Sequence, residues 1–427
     1  MKSVLFRSIV LSGTLMLLVA PVAQATTAAN QSTVDKAVAY LKTQQSADGH
    51  IGNPGSDTGW AAVALASSGL DLSTVKTAGG SSLRAYLAAN PPASTDKATD
   101  WERSIIAVTA DGQNPYNFSG TDYVAKLKSF AVNHQIGLET TSNDDFFGLI
   151  ALLSAKVMPT DTLVTDELSF ILTHQHSDGG FSYSADASVA SDTNDTAAAM
   201  MALTAAQNAG LGSAAVTQAI AAAKAYEYKS QNTDGGFPYD PLTPATWGGP
   251  VSDGSSTSWV LMALNALGLQ NDTPGLKAQA YLRTLPLADG SFPSYVPTTG
   301  DVFDTAPAVT ALNGGTYPLK VYAGIVPEVA QVPVVTSPTP TPSPTPSPAP
   351  IIKPAVTTPA TPTGSVLGAS TTNPPIGGSG VGSVLGSSTL PAVGTVSNLL
   401  LLTLALVVSV IAGLAIRLRQ IRVRARR

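Results

Sequence analysis

The sequence predicts an all-α fold: six helical hairpins closed into an (α/α)6 toroid, followed by a disordered Pro/Thr stalk and one transmembrane helix. Three observations carry that prediction. A turn motif recurs, as Gln231-Asn232-Thr233-Asp234-Gly235-Gly236-Phe237, Gln175-His176-Ser177-Asp178-Gly179-Gly180-Phe181, Gln45-Ser46-Ala47-Asp48-Gly49-His50-Ile51 and Pro286-Leu287-Ala288-Asp289-Gly290-Ser291-Phe292. A second register aligns six segments ending in Ala-Leu or Ala-Val at Leu65, Val108, Leu152, Leu203, Leu264 and Leu312, spaced by 43 to 61 residues. Amphipathic and nearly all-apolar helical patterns alternate along the chain. Self-similarity at such a period marks a repeat architecture.

Taken in order, the first helix of each repeat is expected at Val34–Gln45, Ser82–Asn90, Asp122–Gln135, Asp166–Gln175, Val216–Gln231 and Gly275–Leu285. These stretches carry apolar residues at helical spacing and Lys, Gln and Glu elsewhere, so each presents one face to a core. The second helices are apolar all round and must be buried on every side, which makes them an inner ring. Eight residues before the last apolar residue stand Asp57, Asp100, Asp144, Asp195, Ser256 and Asp304, read as N-caps that accept from backbone N–H groups. In the turns between the two helices, Gly supplies a positive φ, Asp bonds nearby backbone N–H groups and the aromatic plugs the gap between hairpins. Repeats 2 and 3 lack the turn motif, with His134-Gln135-Ile136-Gly137 as a remnant.

The ends of the chain predict its location. Lys2 and Arg7 precede an apolar run from Ile9 to Ala20, and Ala23-Gln24-Ala25 offers a cleavage site, so residues 1–25 read as a secretory signal peptide. The toroid is expected over 30–322 and a Pro/Thr/Ser/Gly-rich stalk, unable to bury a core, over 323–395. A transmembrane helix is expected over 396–416, where Leu399 to Ile416 carry no charge and span roughly 27 Å as helix. The basic tail 417–427, with Arg417, Arg419, Arg422, Arg424, Arg426 and Arg427, stays cytoplasmic, which puts the N-terminus outside. Leu390-Pro391-Ala392-Val393-Gly394 before the span resembles the cell-wall sorting signals of Gram-positive-type bacteria. That resemblance implies attachment to cell wall by a sortase, although Val393 stands where those signals have Thr; a plain membrane anchor is the other reading.

Composition excludes several classes. There is no Cys, hence no disulfide, lipidated cysteine or thiolate metal site. Between Asp35 and Glu328 lie 28 acidic against 14 basic residues, a net of −14, which argues against nucleic acid and anionic lipid as partners.

The Gln-x-x-x-Gly repeats, Gln45 to Gly49, Gln175 to Gly179 and Gln231 to Gly235, resemble the Gln-x-x-x-Gly-x-Trp repeats of squalene cyclases. The chain is thereby similar to the α/α-toroid superfamily of terpenoid cyclases, protein prenyltransferases, cobalamin carriers and complement thioester domains. Prenyltransferase and thioester chemistry need a Cys that is missing. Class II terpenoid cyclases protonate substrate with the middle Asp of Asp-x-Asp-Asp-Thr-Ala; Asp192-Thr193-Asn194-Asp195-Thr196-Ala197 matches that pattern but puts Asn194 at the acid. An amide is no general acid there. The cobalamin carriers imply binding without catalysis, with cobalamin one ligand among several.

Candidate residues follow. Asp192 and Asp195 are the candidate catalytic pair. Trp60, Arg103, Phe147, Ala198, Trp259 and Pro307 occupy the most variable position of the inner register and either line a lumen or fill a core. Two long loops, Ser182–Asn194 and Pro238–Ser255, share one rim and offer Tyr183, Asp186, Tyr239, Asp240, Trp247 and Asp253 for a sugar or calcium-assisted contact. Either binding or an ordinary surface role fits them. His174-x-His176-x-Asp178 has metal-like residues at a helix C-terminus, where His is favoured by the dipole and alternate residues do not face each other; no metal or cofactor is expected. No Ser/His/Asp arrangement, Walker loop or His-Glu-x-x-His stands in the sequence. The expectation is a displayed toroid that binds a small molecule, cobalamin-like or apolar, or a glycan without catalysis. The alternative is a terpenoid-cyclase-like or glycan-acting secreted enzyme.

Overall fold

A computed structural model describes residues 28–93, 97–244, 249–293 and 298–326. The signal, the transmembrane helix, the tail and nearly all of the stalk lie outside those residues. Among the described residues no helix is long and apolar enough to cross a membrane.

Six inner helices are α2 (Asp57–Ser67), α4 (Ala98–Ala110), α6 (Asn143–Ser154), α8 (Thr193–Ala206), α10 (Gly254–Ala266) and α12 (Val302–Leu312). The outer helices are α1 (Ala28–Thr43), α3 (Leu83–Ala89), α5 (Tyr123–Lys128), α7 (Thr162–Thr173), α9 (Ala214–Ser230) and α11 (Thr273–Leu282). Each inner helix packs on the next and α12 packs on α2, so the ring closes and the protein is an all-α toroid. The inner helices are buried along nearly their whole length, as an all-apolar sequence requires. Closure is polar as well as apolar. Asn30 of α1 donates to Gln279 Oε1 at 2.9 Å and to the Leu312 carbonyl at 3.0 Å, and accepts from Arg283 at 2.7 Å.

The repeated turn is built residue by residue. Gln175 Nε2 donates to the Gly179 carbonyl and to the Ala219 carbonyl of the next outer helix, both at 2.9 Å, and Gln231 does the same to Gly235 and Pro274. Gln45 bonds Gly49 at 2.9 Å and Val75 at 3.1 Å. The glutamine thus clamps its own turn to its neighbour. Gly179, Gly235 and Gly290 have φ of 92°, 93° and 89°, and a Cβ there would stand 2.6, 2.8 and 2.5 Å from a carbonyl oxygen of the next outer helix. For Gly290 that carbonyl is Lys36 on α1, so this turn is part of the ring's closing seam. Gly290→Ala combines left-handed strain with a backbone clash and is expected to destabilise by about 2 kcal/mol or more; a chemical-denaturation midpoint equal to wild type would refute it. The aromatic N–H of each turn is taken by a threonine of the inner helix, Phe181 by Thr196, Phe237 by Thr257 and Phe292 by Thr305, each at 2.9 Å.

Two expectations are corrected. The helix expected over Asp122–Gln135 stops at Lys128, and β1 (Ala131–Val132) pairs with β2 (Gln135–Ile136) through Asn133 and His134, both at positive φ. A second short pair, β3 (Phe292–Pro293) and β4 (Gly300–Asp301), precedes α12. The aligned acidic residues are not the caps. Asp192, Asp253 and Asp301, three residues earlier, are the N-caps and accept from the N–H of Asp195, Ser256 and Asp304 at 2.8, 2.7 and 2.8 Å. In repeats 1 and 3 the aligned acid instead ties down the incoming loop, Asp57 accepting from Asn53 N–H and Asp144 from Leu138 N–H, both at 2.9 Å. Gly137 stands against Asp144 as Gly52 stands against Asp57, which makes the Ile136-Gly137 stretch the turn's remnant.

Candidate functional site

The centre of the ring is filled. Trp60, Phe147 and Trp259 come from three inner helices and meet with ring centroids 5.7 to 5.9 Å apart. Tyr317, from the segment after α12, enters between them, stacked on Trp60 at 4.9 Å and edge-on to Trp259 at 5.5 Å. All four are at most 2 % exposed. The segment that carries Tyr317 crosses the mouth at the C-terminal ends of the inner helices. Asn265 at the end of α10 holds the Gly315 carbonyl at 2.8 Å, and Tyr322 N–H reaches the Ser154 carbonyl at the end of α6 at 2.7 Å. Functional surface is therefore sought at the opposite, N-terminal rim.

Arg103 sits at that rim, 2 % exposed, ion-paired with Asp100 and donating to the Gly55 carbonyl at 3.0 Å; Gly59 of α2 leaves the room its stem occupies. It joins the first two repeats rather than the aromatic centre. Loops also sew neighbouring repeats together. Ser142 N–H donates to the Tyr183 carbonyl at 2.8 Å, and Thr193 N–H to the Tyr239 carbonyl at 3.1 Å. Both long loops thus lie on this rim, and Trp247 falls outside the described residues.

Asp192 and Asp195 are buried beside each other, and the half-buried Tyr239 hydroxyl faces Asp192. Burial, reinforced by the neighbouring carboxyl, pushes Asp192 well above the ordinary carboxylate range. Burial also raises Asp195, opposed by its hydrogen bond with Asp192. Asn194, between them in sequence, is 4 % exposed. Two inner helices further on, Asp304 of α12 is pushed up to about 7 by burial and then by Asp301.

Residues that the sequence reading passed over are Glu102, Glu167 and Glu227, each fully buried. Aligned on the turns, Glu227 stands where the sibling repeats have Leu41, Ile171 and Leu282, and Glu167 where they have Ala37, Ala223 and Ala278, all buried. That alignment was the available signal. Burial lifts Glu102, Glu167 and Glu227 well above the usual range. Glu102 and Glu167 gather with Asp144 and Asp145: after burial, Asp144 and Asp145 raise Glu102 further and Glu167 and Asp144 raise Asp145, whereas the hydrogen bond to Asp145 works against the rise of Glu167.

The rim holds a groove of about 460 Å³, between Thr173–Asp178 and Ala185–Ser191 with Leu242 at its edge. Its size suits a sugar or a small organic ligand. His174 turns back to the Phe170 carbonyl of its own helix at 2.8 Å, and its ring stacks on Phe170. His176 Nδ1 lies 3.0 Å from Ser191 Oγ, which donates to Asp178 at 2.9 Å. Asn232, Ser252 and Asp234 repeat this latch one hairpin later. Among the described residues no group of three His, Asp or Glu could hold a metal. A shallower depression of about 610 Å³ runs along Ala28, Gln31, Ser32, Asp35 and Lys36.

No family model and no curated protein matches the chain. Solved structures do. The type II terpene cyclase MstE from Scytonema is similar at 14 % identity and a TM-score of 0.48, over 67 % of this chain and 97 % of that one. An unsaturated glucuronyl hydrolase specific for heparin is similar at 13 % identity and a TM-score of 0.49, over 69 % of this chain and 99 % of that one. A polysaccharide lyase is similar at 11 % identity and a TM-score of 0.46, over 67 % and 96 %.

Proposed function

We propose that this chain is a surface-displayed, membrane-anchored toroid that binds a glycan or small polar molecule in the groove at the N-terminal rim without transforming it. The observation that supports the reading is the pairing of a ligand-sized groove on a long rim loop with a ring centre packed by Trp60, Phe147, Trp259 and Tyr317. A ligand therefore has the rim to bind rather than the ring centre. Tyr183, 47 % exposed, and the half-buried Tyr239 offer flat apolar faces beside carboxyl groups, the pairing that sugar rings take up. The signal, stalk and anchor read from the sequence supply display.

Native mass spectrometry of the protein taken from its own membrane, with a glycan array in parallel, tests this. A bound ligand is expected, and Leu242→Asp combined with His176→Ala is expected to weaken it about tenfold or more while the fold survives. Binding unchanged in that variant would remove the groove from the proposal.

A second reading has its own support. Asp192 and Asp195 form a buried pair whose pKa values are raised, beside the half-buried Tyr239, and this set could deliver a proton to a glycosidic or alkene group. Turnover of a glycan or polyprenoid, lost in Asp192→Asn plus Asp195→Asn with folding intact, would replace the binding reading with this one.

A further inference from the structure

The turn of repeat 1 departs from its siblings at two positions. Where they have His176, Asn232 and Leu287 it has Ser46, and where they have Gly180, Gly236 and Ser291 it has His50. In the siblings the turn aspartate serves the backbone. Asp178, Asp234 and Asp289 accept from the N–H two residues on at 2.9 to 3.0 Å and from a serine hydroxyl at 2.7 to 2.9 Å. In repeat 1 the equivalent backbone contact lengthens to 3.4 Å, and Asp48 Oδ1 instead lies 2.6 Å from His50 Nδ1. His50 Nε2, the other ring nitrogen, lies 3.0 Å from Ser46 Oγ. Hydroxyl, imidazole and carboxylate are therefore in series through opposite nitrogens of one ring. The Ser191 latch differs, since there the serine, not the histidine, sits in the middle.

The frame beneath the series is rigid. Gln45 pins the turn to Gly49 and Val75, Ser46 N–H bonds the His50 carbonyl at 2.8 Å, and the Tyr86 ring lies against the imidazole with centroids 5.5 Å apart. The imidazole side chain is 20 % exposed, so its orientation is fixed while solvent still reaches it. Among the described residues the N–H groups of Ala47 and Asp48 take no acceptor, and the first directly follows the serine. A backbone N–H after the nucleophile is a donor that can meet a developing oxyanion.

We propose that Ser46, His50 and Asp48 form a nucleophilic centre that hydrolyses small, unhindered carboxylic esters. With Asp48 accepting the Nδ1 proton, the Nε2 lone pair faces the Ser46 hydroxyl. Ser46 Oγ bonds to the ester carbonyl carbon as its proton passes to Nε2. The bond from that carbon to the alcohol oxygen breaks, and the alcohol leaves with the Nε2 proton. Water then attacks acyl-Ser46, gives a proton to Nε2 and releases the acid, after which that proton returns to Oγ. Ester and water become acid and alcohol, with nothing oxidised or reduced. The centre lies on an open turn, with His50 20 % and Asp48 61 % exposed, which limits the acyl group to a short one such as acetyl. This centre belongs to repeat 1 and the groove to repeat 4, so either assignment can fail without the other.

Full-length protein in detergent is to be treated with a fluorophosphonate probe, labelled peptides mapped by mass spectrometry, and p-nitrophenyl acetate hydrolysis followed. Labelling is expected at Ser46 and absent in Ser46→Ala. His50→Gln is expected to slow labelling and hydrolysis by about a hundredfold or more. Asp48→Asn is expected to slow them less, because Asp48 is 61 % exposed. Ser191, in its latch, is expected to stay unlabelled. Thermal melts of each variant check that the turn persists, and ligand binding in the groove is expected to be unaffected. Wild-type labelling at Ser46 no faster than in His50→Gln, or label placed mainly elsewhere, would overturn the proposal.

Discussion

Trp60→Ala is expected to lower the unfolding free energy by about 3–5 kcal/mol, the range for removing a large buried aromatic. Trp60 touches Phe147, Trp259 and Tyr317, so its loss opens a cavity at the point where three inner helices and the C-terminal segment meet. Collapse cannot fill it, because Phe147 and Trp259 are fixed on different helices and Tyr317 on the segment after α12. Tyr317→Ala, which removes the plug but no helix residue, is expected to cost less than Trp60→Ala and to loosen residues 313–326 as well. Denaturant titration with hydrogen exchange checks both; a Trp60→Ala cost under about 1 kcal/mol would mean that the ring centre is not packed as described.

Glu227→Leu is expected to stabilise the protein by about 1–3 kcal/mol at neutral pH, the usual cost of an uncompensated buried polar group. Both Glu227 carboxyl oxygens are buried with no hydrogen-bond partner among the described residues, and three sibling repeats fill the same slot with Leu41, Ile171 and Leu282. The sign with pH follows. Burial raises the folded-state affinity of Glu227 for its proton, and the unfolded chain titrates near about 4.3. Its contribution is fully present below that value and is lost as pH rises through the folded one. Glu102 and Glu167 act in the same direction. Wild type is therefore expected to be more stable at pH 5 than at pH 8, and Glu227→Leu to flatten that slope. Equal slopes in the two proteins would rule this out.

The repeats made the hairpins legible because each turn residue has a local duty that its copies share. Gln175, Gly179, Asp178 and Phe181 could be read from Gln231, Gly235, Asp234 and Phe237. The caps were misplaced by three residues because aspartate serves both at the cap and within the first turn after it, and sequence alone does not separate Asp192 from Asp195. Tyr317 was invisible for the opposite reason. It follows the last repeat, has no copy, and packs on Trp60, 257 positions earlier in the sequence. At the candidate site the rim loops and the acidic pair were legible as chemistry. The groove was not, since its shape depends on how Ala185–Ser191 lies against His174–Asp178. The Ser46, Asp48 and His50 series was passed over because those residues sit inside a motif whose structural purpose already accounted for them.

The seam at Asn30 has a kinetic consequence. Asn30 bonds a carbonyl 282 residues away in sequence, and Gly290 nests on Lys36, so α1 has no final partner until α12 exists. During synthesis the first helix must wait, its apolar face uncovered, while ten others appear. Most contacts within a hairpin are local and form early, whereas this one closes a loop of nearly the whole domain and comes last. A chain cut short before Val302 would thus be left as an open arc with two sticky ends, prone to join a second arc rather than itself.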